Sequence, residues 1–382
     1  MNIVIFTDTY TPVKNGVVTS VTQLKSGLED LGHRAIIVTL NFKGAIQEDD
    51  VYRTISIPSF VSKNDKIGLF STKKIIEFLE PFEIDLVHIH TEFSMGIAGR
   101  KIARELHLPL VCTAHTMWLD YIHYLGFIGN IIKKPFLSFL KKHYLAADVI
   151  TTPSIKSKNF LYNLIHTDNI RILPNGIDKK NFLNKEVIPE EIEALKKSFG
   201  IQDDERVVIS VGRVGEEKRI IPMLDIFKNI IKTEDKVKFI VVGDGPIFEE
   251  AKEYGSDYSD KINFTGFVEW KNLYKYYPLG DVFITVSLSE THSMTMIEAM
   301  LSGVPIIARN DDSFTLLVEN GKNGYLCESD EEVKEKIINT IFDDEKLQYF
   351  STNSKEIADS YSAENHIKMM LEAYHKAIEV SV

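Results

Sequence analysis

The sequence predicts an α/β protein made of two doubly wound domains of similar size. Short apolar runs rich in Val and Ile alternate with amphipathic segments in the first half of the chain, and the same alternation starts again in the second half. A polar, charge-rich passage over residues 175–206 separates the two series. Repeated βα units of this kind are typical of parallel sheets covered by helices.

In the first half, strands are predicted at residues 3–6, 35–40, 86–89, 110–113 and 149–152, and helices at 19–31 and 95–106. The strands are nearly continuous in apolar residues, as expected where both faces of a sheet are covered. In the second half, strands are predicted at 207–211, 238–242, 263–265, 282–285 and 305–308, and helices at 220–231 and 295–302.

We place the domain boundary near Leu173, which gives domains of residues 1–172 and 173–364. Sheets of this class bind ligands outside the carboxyl ends of their strands, so a crevice between the two domains is the expected site.

The composition is that of a globular protein, with 44% hydrophobic and 26% charged residues among 382. The two cysteines, Cys112 and Cys327, exclude a disulfide scaffold and fit a reducing cytosol. No apolar stretch approaches the roughly 20 residues that span a bilayer, and the N-terminus lacks the basic region of a signal peptide. We expect a soluble intracellular protein, or one attached to a membrane only at its surface.

The net charge of −11 argues against general nucleic-acid binding. Residues 1–175 carry 19 Lys and Arg against 16 Asp and Glu, whereas residues 176–382 carry 25 against 39. This contrast indicates different partners for the two halves, or else variation in solvated surface charge, and composition does not separate these explanations.

Gly16 ends the loop that follows the first predicted strand. A glycine there lets a ligand approach backbone N–H groups and the positive end of a helix dipole, which suits a diphosphate. Alternatively, Gly16 only forms a turn, and Thr19 or Ser20 caps the helix.

Arg213 and Lys218 follow the strand at 207–211, so both could reach an anion at its carboxyl end. An ordinary charged surface loop is the alternative. His115 stands after the strand at 110–113, where an imidazole can bind or transfer protons, although a lone histidine is more often structural.

Glu290 and Glu298 are eight residues apart, the first in a predicted loop and the second in the helix at 295–302. Glu298 lies in an apolar stretch, where a carboxylate needs hydroxyl or N–H partners to offset its desolvation. Sugar hydroxyls would be suitable partners. Alternatively, Glu298 is exposed on the polar face of the helix.

Other chemistries lack their motifs. The chain has no Asp-x-Asp metal–diphosphate motif, no Gly-x-x-x-x-Gly-Lys-Ser/Thr loop and no Gly-x-Ser-x-Gly elbow. The segment at 243–246, Gly-Asp-Gly-Pro, lacks the third glycine of a dinucleotide fingerprint.

Together and in order, these segments resemble a retaining glycosyltransferase of the GT-B fold, in the large family four, over roughly residues 1–375. The matching segments are Asn15-Gly16-Val17, 174–178, Gly212-Arg213 with Glu217-Lys218, 243–246, and Glu290 with Glu298 before Gly303-Val304-Pro305. The loop at 7–20 and the segments at 90–94 and 115–121 also resemble bacterial diacylglycerol glucosyltransferases, which move glucose from UDP-glucose to membrane diacylglycerol.

The resemblance implies two Rossmann-like domains facing across a central cleft, with a last helix at 364–380 that crosses back, so that 365–382 joins the first domain. It also implies that Gly16 faces the diphosphate, while Arg213 and Lys218 neutralise its charge without a metal or other cofactor. Glu298 would hold the ribose, and His115 would stabilise the transition state. The donor sugar would be contacted by Glu290, Thr291, His292, Ser293 and Met294. The departing phosphate would act as base in a front-face attack.

A lipid acceptor must be reached at a membrane surface, and the segment at 121–145 is apolar with four lysines. On a helix, Lys134 and Lys141 would project only about 20° apart and, with Lys133 and Lys142, would suit an anionic bilayer on the inner face of the cell membrane. Trp118 and Tyr121 are the other candidate acceptor or membrane contacts. Alternatively, this is a core helix with four solvated lysines.

Three other readings stay open. The acceptor could be a protein, a polysaccharide or a small molecule. The chain could also be a non-catalytic partner subunit of the same fold, although the full residue set argues against it. A nucleotide-sugar epimerase would share the architecture without the glutamate pair.

Overall fold

A computed structural model describes residues 1–58, 66–118, 126–179, 182 and 188–381. The chain divides into two compact units. The N-terminal unit is Met1–Gly176 with Ala363–Val382, and the C-terminal unit is Ile177–Ser362.

The N-terminal unit contains an eight-stranded sheet in the order β4-β3-β2-β1-β5-β6-β7-β8. Its pairs are parallel except β3 with β4. The strands are β1 Asn2–Phe6, β2 Arg34–Leu40, β3 Val51–Pro58, β4 Lys66–Leu69, β5 Leu86–Ile89, β6 Leu110–Thr113, β7 Val149–Thr152 and β8 Ile170–Ile172.

Helices cover both faces of this sheet, because successive strand residues point to opposite sides. The helices are α1 Gly16–Asp30, α2 Thr72–Leu79, α3 Ser94–Glu105, α4 Gly126–Tyr144, α5 Ile155–Ile165 and α12 Ala363–Ser381. One core joins Ile3 and Ile5 to α1 and α12. The other joins Val4 and Phe6 to α2–α5.

The C-terminal unit contains a six-stranded parallel sheet in the order β11-β10-β9-β12-β13-β14. Its strands are β9 Arg206–Val211, β10 Val237–Val242, β11 Ile262–Phe264, β12 Val282–Thr285, β13 Ile306–Arg309 and β14 Gly324–Cys327. Its helices are α6 Pro189–Ser198, α7 Ile220–Ile231, α8 Phe248–Tyr254, α9 Met294–Leu301, α10 Asp330–Ile341 and α11 Asp344–Asp359.

The predicted doubly wound α/β class is confirmed, and the predicted strands are all present with ends that agree within one residue. The last helix, α12, packs on α1, β6 and β7, so it belongs to the N-terminal unit as the resemblance implied. Strands β3, β4, β8 and β14 were not predicted, because they are short or polar and form through pairing at or next to a sheet edge.

The helix expected at 19–31 instead begins at Gly16. Its cap is Asn15, whose side chain accepts a hydrogen bond from the N–H of Val18 at 2.9 Å, so the alternative that placed the cap at Thr19 or Ser20 is wrong. Among the described residues, no helix combines the length and apolarity needed to cross a bilayer.

Candidate active site

In the C-terminal unit, the predicted residues gather where the strand order reverses. Strand β9 pairs in parallel with β10 on one side and with β12 on the other. The loops that follow β9 and β12 therefore leave the carboxyl end of the sheet next to each other. Such a switch point is where open α/β sheets bind ligands. The loop after β9 carries Arg213 and Lys218, and the loop after β12 carries Glu290.

Lys218 and Glu290 form an ion pair, although 72 residues separate them in sequence. The two loops are also tied through the backbone, because the hydroxyl of Ser289 donates to the carbonyl of Glu217 at 3.0 Å. Arg213 lies 3.5 Å from Glu217 and its side chain is 63% exposed. The exposed Arg213 and the partly exposed Lys218 can therefore present positive charge to an anion at this end of the sheet.

Gly243, in the glycine-rich segment at 243–246, has a structural role that the sequence did not indicate. Its backbone has φ +138°, and a Cβ atom there would lie 1.9 Å from the carbonyl oxygen of Gly212. The N–H of Gly212 donates to the carbonyl of Val242 at 2.9 Å. The glycine therefore permits the ends of β9 and β10 to approach closely, which shapes the loop that begins with Arg213.

Glu298 is on α9 with only 4% of its surface exposed, so the alternative of an exposed position on a polar helix face is wrong. The indole N–H of Trp270 donates to one carboxylate oxygen at 2.7 Å, and the hydroxyl of Tyr277 donates to the other at 2.5 Å. Burial raises the pKa of Glu298 to about 7, with these two bonds acting in the opposite direction. Each oxygen retains a lone pair that a ligand hydroxyl could use.

The loop before α9 places the remaining predicted donor contacts. The side chain of Ser293 caps α9 by accepting from the N–H of Met296 at 3.4 Å, and Met294 is the first residue of the helix. His292 is buried, with its ring 6.0 Å from that of Tyr361, and Thr291 is half-buried. Their contact with a sugar stays a prediction.

In the N-terminal unit, Gly16 is the first residue of α1 and is exposed. Apart from Gly16, its two chain neighbours and the backbone of α1, no heavy atom of the described residues lies within 4 Å of the position that its Cβ would occupy, so the space beside this helix N-terminus is open. The side chain of Arg53 supports the preceding loop by donating to the carbonyl of Thr11 at 3.0 Å. An anion could reach the first N–H groups of α1 there.

His115, after β6, is the outer member of a hydrogen-bonded row of histidines. Its Nε2 lies 2.8 Å from Nδ1 of His90, and Nε2 of His90 lies 3.2 Å from Nδ1 of His88. His88 contacts the hydroxyls of Thr113 at 2.7 Å and Tyr374 at 2.8 Å. His115 is thus linked through His90 to a buried network that ends on α12.

Burial keeps the imidazoles of this network neutral at physiological pH. Burial lowers the pKa of His115 from its ordinary value of 6.5 to about 4, with a smaller contribution from His366. Burial and neighbouring histidines also lower the pKa values of His88 and His90. A neutral His115 can donate or accept a hydrogen bond but adds no positive charge.

A pH-dependent stability difference follows for His115→Gln, which removes this titration. Between pH 6.5 and 4 the unfolded wild type binds a proton at position 115 that the folded protein does not, so its stability falls as the pH is lowered. From pH 7 to 5 we expect wild type to lose on the order of 1–2 kcal/mol relative to the variant. Denaturant unfolding of both proteins at the two pH values measures this. An equal response of both to pH would contradict it.

The candidate acceptor and membrane residues divide into three groups. Trp118 is half-buried and packs edge-on against Phe93 and Phe136, at 5.0 and 5.9 Å between ring centroids. Tyr121 lies outside the described residues. The predicted lysines, Lys133, Lys134, Lys141 and Lys142, are all exposed on α4.

Helix α4 itself is anchored in the core. Leu140 and Tyr144 are buried, whereas Ile131 and Leu145 are 62% and 53% exposed. The inner face of α4 is therefore part of the core, as expected for a core helix. The outer face of α4 carries the four lysines.

Several residues that support the site were not singled out from the sequence. His88 lies in β5 and His90 directly follows this strand, and their spacing of two residues is the signal that could have placed both side chains on one face with His115. No sequence pattern indicates Trp270 or Tyr277, because their hydrogen bonds to Glu298 depend on tertiary packing. Within the described residues, no group of three His, Cys, Asp or Glu side chains is arranged to hold a metal ion.

Comparison with known proteins identifies the family. Residues 14–181 match the family model described as Glycosyltransferase Family 4, and residues 191–357 match Glycosyl transferases group 1. The alpha-monoglucosyldiacylglycerol synthase of Streptococcus pneumoniae is 33% identical over 99% of this chain and 86% of its own length. The enzyme of the same name from Acholeplasma laidlawii is 34% identical over 96% of this chain and 95% of its own length.

Solved structures show the same fold at lower identity. The sucrose-phosphate synthase of Thermosynechococcus elongatus aligns with a TM-score of 0.75 at 18% identity, covering 98% of both chains. HepE of Anabaena, solved in complex with UDP, aligns with a TM-score of 0.75 at 17% identity, covering 97% of this chain and 98% of its own. The protein is therefore a glycosyltransferase of family 4, with the GT-B fold.

Proposed function

We propose that this protein transfers glucose from UDP-glucose to diacylglycerol at a membrane surface, with retention of the anomeric configuration. The observation that carries the proposal is the pairing of Arg213 and Lys218 with carboxylates at the switch point of the second sheet. The 33–34% identity to two alpha-monoglucosyldiacylglycerol synthases, across both units, supports the choice of donor sugar and acceptor.

In this proposal, Arg213 and Lys218 bind the donor diphosphate. Lys218 exchanges the carboxylate of Glu290 for a phosphate oxygen, so both cations neutralise the charge that develops as the nucleotide leaves, and no metal is required. The released Glu290, with residues Thr291 to Met294, contacts the hexose. Glu298 uses its remaining lone pairs for the ribose hydroxyls.

Residues of the N-terminal unit would act on the same donor and on the acceptor. Gly16 offers the N–H groups of α1 to the diphosphate. The neutral His115 donates or accepts one hydrogen bond beside the reacting carbon, in an orientation set by His90. The departing phosphate takes the proton from the acceptor hydroxyl as the new bond forms on the same face of the sugar.

A donor panel tests this function. UDP-glucose, UDP-galactose, UDP-N-acetylglucosamine and GDP-mannose are each incubated with diacylglycerol in anionic vesicles, with soluble acceptors, and with no acceptor. We expect nucleotide release only with UDP-glucose and diacylglycerol, an α-linked product by NMR, and no effect of a chelator.

Three other results of the panel would contradict the proposal. Conversion of the donor without acceptor would indicate an epimerase. Transfer only to soluble acceptors would indicate another member of the family. No reaction with any pair would favour a non-catalytic partner subunit.

Membrane binding is expected to depend on the outer face of α4. Replacing Lys133, Lys134, Lys141 and Lys142 with Glu should abolish flotation with anionic vesicles, because each basic residue near such a surface contributes about 1 kcal/mol. The matched control replaces four exposed lysines of the C-terminal unit, Lys197, Lys232, Lys236 and Lys252, with Glu. Equal flotation of the two quadruple variants would show that α4 is not the contact.

A further inference from the structure

Arg219, the residue after Lys218, has an unusual backbone conformation. It links the short 3-10 turn Glu216–Lys218 to α7, with φ +53° and ψ +42°. This is the left-handed region, which glycine and asparagine enter most readily and where other side chains are strained. An arginine is retained in such a conformation only where surrounding contacts hold it there.

Those contacts are made by its guanidinium group. Nη2 donates to Oδ2 of Asp330 at 2.9 Å, and Nη1 lies 3.4 Å from Oδ1 of the same carboxylate. Nη1 also lies 3.3 Å from the carbonyl oxygen of Val286. Asp330 is the first residue of α10 and is further approached by Nε of Arg309 at 3.5 Å. The pair is partly exposed, with 29% and 34% of the two side chains accessible.

These contacts join the backbone that carries Lys218 to the loop that carries Glu290. Val286 directly follows β12, and the same loop reaches Ser289 and Glu290. The carbonyl of Glu217 accepts from Ser289 at 3.0 Å on the other side of Lys218. Lys218 is therefore fixed by one contact before it and by the Arg219 contacts after it.

We propose that Arg219 is a positioning residue that directs Lys218 toward the donor diphosphate. Its bonds to Asp330 and Val286 hold residue 219 in the left-handed conformation, and this conformation sets the direction in which Lys218 leaves the turn. In this proposal the guanidinium, which donates to Asp330 and Val286, acts on the diphosphate only through Lys218. The identification of the ligand as a diphosphate rests on the proposed function.

Binding of UDP and UMP by calorimetry tests this role, because only UDP carries the second phosphate. The variants are Arg219→Ala and Asp330→Asn, each made with Lys218 present and with Lys218→Ala. We expect Arg219→Ala to weaken UDP binding about tenfold, which corresponds to the loss of one hydrogen bond to a charged group. UMP binding should be unchanged. With Lys218→Ala already present, Arg219→Ala should have no further effect.

Three results would overturn the inference: no change in UDP affinity, equal losses for UDP and UMP, or an undiminished Arg219→Ala effect in the Lys218→Ala protein. The last would mean that Arg219 contacts phosphate directly. If Arg219→Ala fails to fold, Asp330→Asn carries the same comparison, since it keeps Arg219 and the size of its partner. Wild type that binds no UDP at all would instead refute the proposed donor.

Discussion

Lys218→Ala is expected to lower the rate of sugar transfer by about 10²- to 10³-fold, the usual effect of removing one preorganised group that stabilises developing charge. The variant should fold normally. The Lys218–Glu290 pair is partly exposed, with 28% and 15% of the two side chains accessible, and pairs of this kind contribute about 0–1 kcal/mol to stability. Initial rates at saturating donor, together with thermal melting, measure the two effects separately.

Lys232→Ala is the matched control for this experiment. Lys232 is an exposed lysine of the same unit whose Nζ lies 3.2 Å from the side chain of Asn229. Its removal changes the net charge equally and should leave transfer unaffected. A Lys218→Ala enzyme with wild-type turnover, or an equal loss in both variants, would exclude a specific role for Lys218 at the phosphates.

Gly243→Ala is expected to destabilise the C-terminal unit by about 3 kcal/mol or more, from backbone strain and overpacking combined. A methyl group there would lie 1.9 Å from the carbonyl oxygen of Gly212, and this neighbour is backbone rather than a flexible side chain. The glycine's φ of +138° adds strain for any other residue. Calorimetry and donor-analogue binding should both show the loss, because β9 and β10 would separate at the edge that leads to Arg213.

Gly255→Ala provides the comparison within the same unit. Gly255 has φ −83°, and a Cβ there would meet its nearest neighbours at an ordinary 3.5 Å. This variant should melt close to wild type. Similar melting of the Gly243→Ala protein would mean that the strand ends can separate at little cost, and that the glycine has no structural role.

Much of the fold was predictable because its signals are local. The run at residues 3–6 is apolar throughout, which marks a strand covered on both faces whatever its neighbours are. The strands that escaped prediction, such as β8 with Arg171 at its centre, depend on a partner strand to supply their hydrogen bonds. The start of α1 was also missed, because the cap at Asn15 lies in a loop with several polar candidates.

The candidate site was predictable as a set of residues but not as a set of contacts. Arg213, Lys218, Glu290 and Glu298 could be named from their motifs. That Lys218 pairs with Glu290, and that Trp270 and Tyr277 hold Glu298, could not.

By itself, then, the sequence determined the two α/β series, the positions of their loops, and the polar side chains at the strand ends, since these depend on residues near one another along the chain. The tertiary structure decided which side chains meet. His88 contacts Tyr374 from 286 residues away, and Arg219 is bound by Asp330. Such contacts depend on strand order and helix packing, which bring distant segments together and which no local pattern encodes.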